Sequence, residues 1–389
     1  MARREDRPQD VQSPRSRGLT AATAADLPLR VAVAHEWLIG YAGSERVVEQ
    51  ILEEFPGSPL LTTVVEPEAI PELLRTARPS MLQRLPGAVS HHEWFIPLMP
   101  LAWALREPVR DVDVVFSSSH ACAKAVRIDD GIPHLCYCHT PMRYAWHFEM
   151  EAGRFPTAVR PAAWLTARTL RYWDRRTSRN VTRFVANSTA VAERIRNSYG
   201  RPAAVVHPPV RTDYFTPAER RSAGSTFLSV GRLVSYKRPD LVVEAFRGLP
   251  FELVVVGEGH LLSRLRTTAP KNVRFVGAVD DLELRELYRQ ARALVFAGEE
   301  DFGIAMAEAL ACGTPVVAVD RGGAVDIVED GVTGILVGEQ SVEAVRAGVE
   351  RAAATTFDHE LIRSRAERFS AERFRREIRA ELEQLAAAR

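Results

Sequence analysis

Two carboxylates, Glu300 and Glu308, and two cations, Arg232 and Lys237, are the side chains of this chain best placed to do chemistry. The acids lie in Glu299-Glu300-Asp301-Phe302-Gly303-Ile304-Ala305-Met306-Ala307-Glu308, after the apolar run 293–296 and ahead of Ala309-Leu310-Ala311-Cys312-Gly313-Thr314-Pro315. That order predicts a strand, a loop and a helix opening near Gly303 and closing at Gly313, where a left-handed cap is free of steric cost. The first amides of such a helix, around Phe302, Gly303 and Ile304, form an anion site suited to a diphosphate. A carboxylate accepts two hydroxyl hydrogen bonds at once. Glu300, in the loop, therefore suits a sugar, and Glu308, on the helix, suits a ribose diol.

The cations belong to Val230-Gly231-Arg232-Leu233-Val234-Ser235-Tyr236-Lys237-Arg238-Pro239, which follows a strand and opens a helix near Pro239. Arg232 and Lys237 at that edge would neutralise the charge of a departing diphosphate, a service otherwise rendered by a metal; Arg238 reads as solvent-facing. Val256-Gly257-Glu258-Gly259 and Phe275-Val276-Gly277 read as the wall for a nucleobase, with Gly257 and Val276 its donor-side members. The first of these begins like a dinucleotide fingerprint, but Leu262 stands where the third glycine belongs, which counts against NAD.

Earlier in the chain, Gly40-Tyr41-Ala42-Gly43-Ser44-Glu45 precedes a helical pattern with Val47, Val48, Ile51, Leu52 and Phe55 on one face. Gly43 and Ser44 present amides to the diphosphate, and Ser44 is also read as the helix cap. His139 ends an apolar strand in Leu135-Cys136-Tyr137-Cys138-His139-Thr140-Pro141-Met142-Arg143-Tyr144-Ala145-Trp146. Cys136 and Cys138 are read as pointing to opposite faces of that strand, so no metal is expected there. Asp111 and Asp113 stand at the wrong end of their strand for a metal, and Asp280 with Asp281 reads as a helix cap.

Positioning these residues takes alternating strands and helices, the signature of parallel α/β architecture. Strands are expected at 31–35, 112–116, 134–138, 183–186 and 204–207, then at 226–230, 252–256, 273–276, 293–296, 315–318 and 335–337. A chain of 389 residues fits two domains better than one core. The expected division is a disordered tail over 1–28, a first doubly wound domain over 29–207 and a linker over 208–225 marked by Pro208-Pro209. A second doubly wound domain over 226–356 and helices over 357–389 complete it. Both sets of strand carboxyl ends would then face one cleft.

A net charge of +1 argues against a dedicated nucleic-acid binder, and four cysteines in this length do not make a disulfide framework. The tail lacks the apolar stretch of a signal peptide, and no run approaches a membrane span. A cytoplasmic protein is expected, with peripheral contact at the inner membrane surface. Residues 91–103 (HHEWFIPLMPLAW) divide evenly between a core-covering lid and an interfacial or lipid-acceptor contact through Trp94 and Phe95.

On the Glu300-x7-Glu308 motif, its Ala-Leu-Ala-Cys-Gly-Thr-Pro continuation and the Gly231-to-Lys237 segment, the chain after about Leu29 resembles glycosyltransferase family 4 of the GT-B fold. The resemblance implies that Arg232 and Lys237 contact donor phosphates and that His139 lies by the reacting sugar carbon. The Gly43-x-Glu45 segment matches a Gly-Gly-x-Glu pattern with Ala42 in place of the first glycine. The run from His139 to Trp146, with Ser117-Ser118-Ser119-His120 upstream, is similar to bacterial mannosyltransferases that use GDP-mannose. His147 stands where those relatives often carry an acid.

The activity so implied is retaining transfer of a hexosyl group, mannose from GDP-mannose first among the donors, to a glycan or lipid-linked acceptor. Arg143, Tyr144 and Trp94 fall on the acceptor side. No cofactor or metal is implied, the nucleotide sugar being a co-substrate. A UDP- or dTDP-sugar transferase, a nucleotide-sugar epimerase and a non-catalytic sugar-nucleotide subunit are the rival readings.

Overall fold

Short runs of Val, Ile, Leu and Phe become strands buried on both faces, as parallel sheets covered by helices require. The computed structural model describes residues 29–146, 159–219 and 224–388; the tail, His147 and part of the linker lie outside them. The first sheet comprises β1 (Val31–His35), β2 (Leu60–Leu61), β3 (Val114–Ser119), β4 (His134–Cys138), β5 (Arg183–Ala186) and β6 (Ala203–Val205). The second comprises β7 (Thr226–Val230), β8 (Glu252–Val256), β9 (Val273–Gly277), β10 (Leu294–Phe296), β11 (Val316–Val319) and β12 (Gly334–Val337).

The first sheet has the order β2-β1-β3-β4-β5-β6 and the second β12-β11-β10-β7-β8-β9, with parallel pairing throughout the named strands. Strand order reverses between β1 and β3 in one sheet and between β7 and β10 in the other. Loops leaving such reversal points at strand carboxyl ends diverge and open a crevice. The loops concerned are those after β1, β3, β7 and β10, which carry Gly43, His120, Arg232 and Glu300. The topology alone thus gathers most of the chemistry-bearing motifs.

Two local expectations need correction, and one strand, β2, was not expected. β2 is only two residues long, too short for an alternating pattern to announce it. β3 continues through Ser117, Ser118 and Ser119, all buried. Those hydroxyls are accommodated because each has a partner: Ser117 Oγ lies 2.7 Å from His134 Nε2, and Ser119 donates to Glu36 Oε1 at 2.9 Å. Cys136 and Cys138 do not diverge. The side-chain period of a strand is two, so both point to one face, where they pack with Val181, Phe184 and Ile195.

The terminal helix, Ala371–Ala387, returns to the first sheet. Its Phe374, Ile378, Leu382 and Leu385 are buried in one cluster with Val31, Val114 and Val185. Burial of such side chains stabilises by roughly 1.5–3 kcal/mol each, so this helix ties the two ends of the chain together. Val210 N also donates to Phe369 O at 2.8 Å, beside the prolines 208 and 209.

Candidate active site

The two sheets face each other across a cavity of about 710 Å³. From the first half it is lined by Trp37, residues 39–45, His92, Glu93, His120, His139, Thr140, Arg143, Tyr144 and Asn187. From the second half come Gly231, Arg232, Tyr236, Lys237 and residues 300–306. This volume suits a ligand larger than a simple sugar.

On the second side, Lys237 Nζ lies 2.8 Å from Glu300 Oε1. Two close backbone approaches bring the pair together. A β-carbon on Gly298 would meet Lys237 Cα at 2.7 Å, so the loop after β10 can lie directly on the lysine segment only with glycine there. Gly322 and Gly323 pack as tightly against the backbone of Glu300 and Phe302. Gly303 has φ +102°, and the helix Ile304–Ala311 follows it. Arg232 donates to the Tyr236 hydroxyl at 2.9 Å. Arg238 pairs with Asp240 at 2.9 Å, outside the cavity.

On the first side, His139 follows β4 and its Nε2 lies 2.8 Å from Ser118 Oγ. Burial, reinforced by the neighbouring His120 and His35 rings, pushes the His139 imidazole well below its ordinary value, so it is neutral near pH 7. Glu36 is buried beneath the same wall. Burial opposes its charge, but His120 and the amides of Ala123 and Ala121 hold its carboxyl below the usual range. The helix Gly43–Glu54 begins with Ala42, not Ser44, as its cap; Glu45 reaches back to the Ala42 amide at 3.0 Å.

Several expected site residues stand elsewhere. Glu308 does not line the cavity: it is buried, 3.3 Å from Arg46 Nη1 and 3.3 Å from the Tyr288 hydroxyl. Burial raises its carboxyl pKa against the opposing pull of Arg46 and Arg211. Gly257 also lies off the cavity; it packs against the Gly231 backbone, with a Cβ position that Gly231 O fills. Val276 is half-buried against the second core. Trp94 is 81% exposed on the outer surface, because residues 92–98 form a 3-10 turn that buries only Ile96. Arg143 does reach the cavity, but its guanidinium bridges the two halves, 2.5 Å from Asp301 Oδ2 and over the Tyr236 ring.

The sequence reading missed Arg46, Arg194 and Asp301. Arg194 pairs with Asp301 and, at 2.7 Å, with Glu299, so the acidic triplet is held by arginines of the first half on either side of Glu300. The acidic triplet itself was the available signal, since three adjacent acids need cations from another segment. Among the described residues no group of three or more His, Cys, Asp or Glu could hold a metal ion. Asp280 caps its helix by accepting from Glu283 N at 2.8 Å.

Two doubly wound parallel sheets facing one another over a shared cavity define the GT-B class of enzyme. Residues 41–214 match the family model for Glycosyltransferase Family 4, and residues 211–368 match that for Glycosyl transferases group 1. Between them the two models take in both sheets from the first helix onward, and the chain belongs to the glycosyltransferases.

Over 186 residues it is 32% identical to D-inositol 3-phosphate glycosyltransferase from Mycobacterium tuberculosis (strain ATCC 25618 / H37Rv). That match covers 41% of this chain and 38% of the relative, so the chain spans well under half of the curated relative's length. Among solved structures, sucrose-phosphate synthase from Thermosynechococcus elongatus aligns with TM-score 0.70 and 18% identity, over 92% of this chain and 100% of that one. Anabaena HepE in complex with UDP-glucose aligns with TM-score 0.66 and 16% identity, over 92% and 100%. At these identities the structures establish the shared fold.

Proposed function

We propose that this protein transfers a hexosyl group from a nucleoside diphosphate sugar to an acceptor hydroxyl with retention of configuration, and that GDP-mannose is its donor. The observation that carries the reading is the Lys237–Glu300 pair, 2.8 Å apart over a cavity that faces His139. Lys237 and Arg232 would offset the negative charge gathering on the departing diphosphate, where fixed charges outside bulk water act most strongly. Glu300 would accept hydrogen bonds from sugar hydroxyls. The sugar's bond to the phosphate oxygen breaks as the acceptor oxygen bonds on the same face, and the leaving phosphate takes the acceptor proton. The proposed reaction needs no side-chain nucleophile and no metal.

A UDP-sugar donor is the second reading, favoured by the UDP-glucose complex of HepE. A phosphorylated cyclitol is a second reading for the acceptor, by the name of the mycobacterial relative. For a lipid-linked acceptor the support is the outer surface near the cavity's first side, where Trp94, Leu98, Leu101 and Leu105 are exposed. Such a face suits peripheral contact with a bilayer interface. Among the described residues no helix is long and apolar enough to cross a membrane.

A panel of GDP-, UDP- and dTDP-sugars tests the proposal. The true donor should raise the melting temperature, because a ligand that binds only the native state stabilises it. It should also release nucleotide when acceptor is present. If no member of the panel did either, the transferase reading would fail; stabilisation by UDP-sugars alone would overturn the mannosyl donor.

A further inference from the structure

A hydrogen-bonded chain runs from the start of the first helix to the cavity. Glu45 Oε1 lies 3.4 Å from His35 Nε2, His35 Nδ1 lies 3.1 Å from Ser118 Oγ, and Ser118 Oγ lies 2.8 Å from His139 Nε2. His35, Ser118 and Glu45 are all buried, so water does not substitute for any link.

A carboxylate can only accept, a neutral imidazole has one N–H and one bare nitrogen, and a hydroxyl has one proton to give. Those rules give the chain a direction. Burial opposes ionisation of Glu45, but the His35 hydrogen bond holds it down at about 2, so it stays a carboxylate. Where the His35 ring carries one proton, the carboxylate at its Nε2 draws the proton to that nitrogen, which leaves Nδ1 to accept from the Ser118 hydroxyl. With that proton spent, Ser118 Oγ accepts from His139 Nε2–H. The Ser118 carbonyl, at the longer distance of 3.3 Å from His35 Nδ1, would accept a hydrogen bond only from doubly protonated His35.

We infer that Glu45, His35 and Ser118 are positioning residues that fix the tautomer of His139, so that its Nδ1 meets the cavity as a hydrogen-bond acceptor for a hydroxyl of the bound sugar. The last step rests on the sugar-site reading above; the tautomer does not. The other oxygen of Glu45 accepts from the Ala42 amide at 3.0 Å. One buried acid thus holds both the glycine loop ahead of Gly43 and, through two intermediates, the histidine opposite. The orientation of a ring nitrogen set by the partner of the other nitrogen is a general property of histidine sites.

The test is nitrogen-15 spectroscopy of the imidazoles in the full chain, which reports each tautomer without any substrate. His139 should carry its proton on Nε2 in the wild type, and its Nδ1 signal should move when the stabilising nucleotide sugar is added. Ser118→Ala should turn His139 into a tautomer mixture and lower kcat on the order of 10- to 100-fold, while the donor KM changes less than about twofold. Ser118→Thr, which keeps the hydroxyl, should restore both. An Nδ1–H tautomer in the wild type, or a Ser118→Ala protein with unchanged tautomer and turnover, would overturn the inference. An Nε2–H tautomer whose Nδ1 ignores the donor would instead sink only the sugar contact. If Ser118→Ala does not fold, the wild-type tautomer still decides.

Discussion

Gly43 and Ile304 touch across the boundary between the two halves so closely that a β-carbon on Gly43 would lie under 3.0 Å from Ile304 Cδ1. Each residue opens a helix at the cavity, the first at Gly43–Glu54 and the second at Ile304–Ala311. Two helix N-termini therefore converge where a diphosphate would lie. Gly43→Val should wedge them apart. Because no left-handed backbone is involved at Gly43, the fold should survive, with a modest fall in melting temperature. Donor KM should rise by about tenfold or more, since misplacement of about an ångström is costly to catalysis. Wild-type donor affinity in that variant would remove Gly43 from the site.

The Lys237–Glu300 pair makes a different prediction, because the role proposed for its members rests on charge and not on shape. Each side chain is 19% exposed, and the pair is flanked by Asp301 and Arg232. Lys237→Ala and Glu300→Ala should each lower kcat by roughly 100-fold or more, the scale of losing one electrostatic contact to developing charge. Melting temperatures should shift by only a few degrees, since partly solvated ion pairs contribute little to stability. Steady-state kinetics beside thermal denaturation makes the comparison. Near-normal turnover of either variant would overturn the assignment.

What the sequence made legible follows from the range over which each signal acts. Most strand patterns, the turn at Gly303 and the alternation of elements are local and were readable, whereas β2 and the short turns between Pro67 and Leu98 were not. The carboxyl-end placement of Arg232, Lys237 and Glu300 came with them, because a strand's direction is known once its neighbours are. Partners between the two halves were not readable: Arg46 with Glu308, and Arg194 with Asp301, depend on how one sheet sits against the other. Buried hydroxyls misled for a related reason. Ser117 to Ser119 look like a loop until Glu36, His134 and His139 are present to bond them.

Asp301 is where those unreadable partners concentrate. Arg143 and Arg194, both from the first half, pair with its two oxygens, and Ser188 Oγ donates to its carbonyl at 2.5 Å. Asp301→Asn keeps one acceptor oxygen but turns the other into an NH2 donor facing a partly buried guanidinium, at a cost of roughly 1–3 kcal/mol. The expected outcome is a lower melting temperature together with a severalfold drop in kcat and little change in nucleotide binding, measured by calorimetry and kinetics. A variant with wild-type stability would show that the clamp does not hold the halves together.

The last prediction concerns acid. His134 is fully buried on β4, and burial pushes its imidazole down to about 4, an effect the Asn180 backbone contact only partly offsets. The unfolded chain takes up a proton near pH 6.5 that the folded chain refuses until about 4. Its contribution is therefore complete above 6.5 and is lost as pH falls through that window, a total of roughly 3 kcal/mol. Burial shifts His120 and His139 the same way, so they add to the loss. Glu308, raised by burial, works in the opposite sense above its ordinary value, and Glu36 and Glu45, both lowered, withdraw support only at more acidic pH. The melting temperature should fall steadily from pH 7 to pH 5. His134→Gln, which removes the titrating group, should be less stable at pH 7 yet show a shallower slope, by up to about 1.4 kcal/mol per pH unit in the steepest part. A variant slope equal to that of the wild type would place the acid loss at other groups than His134.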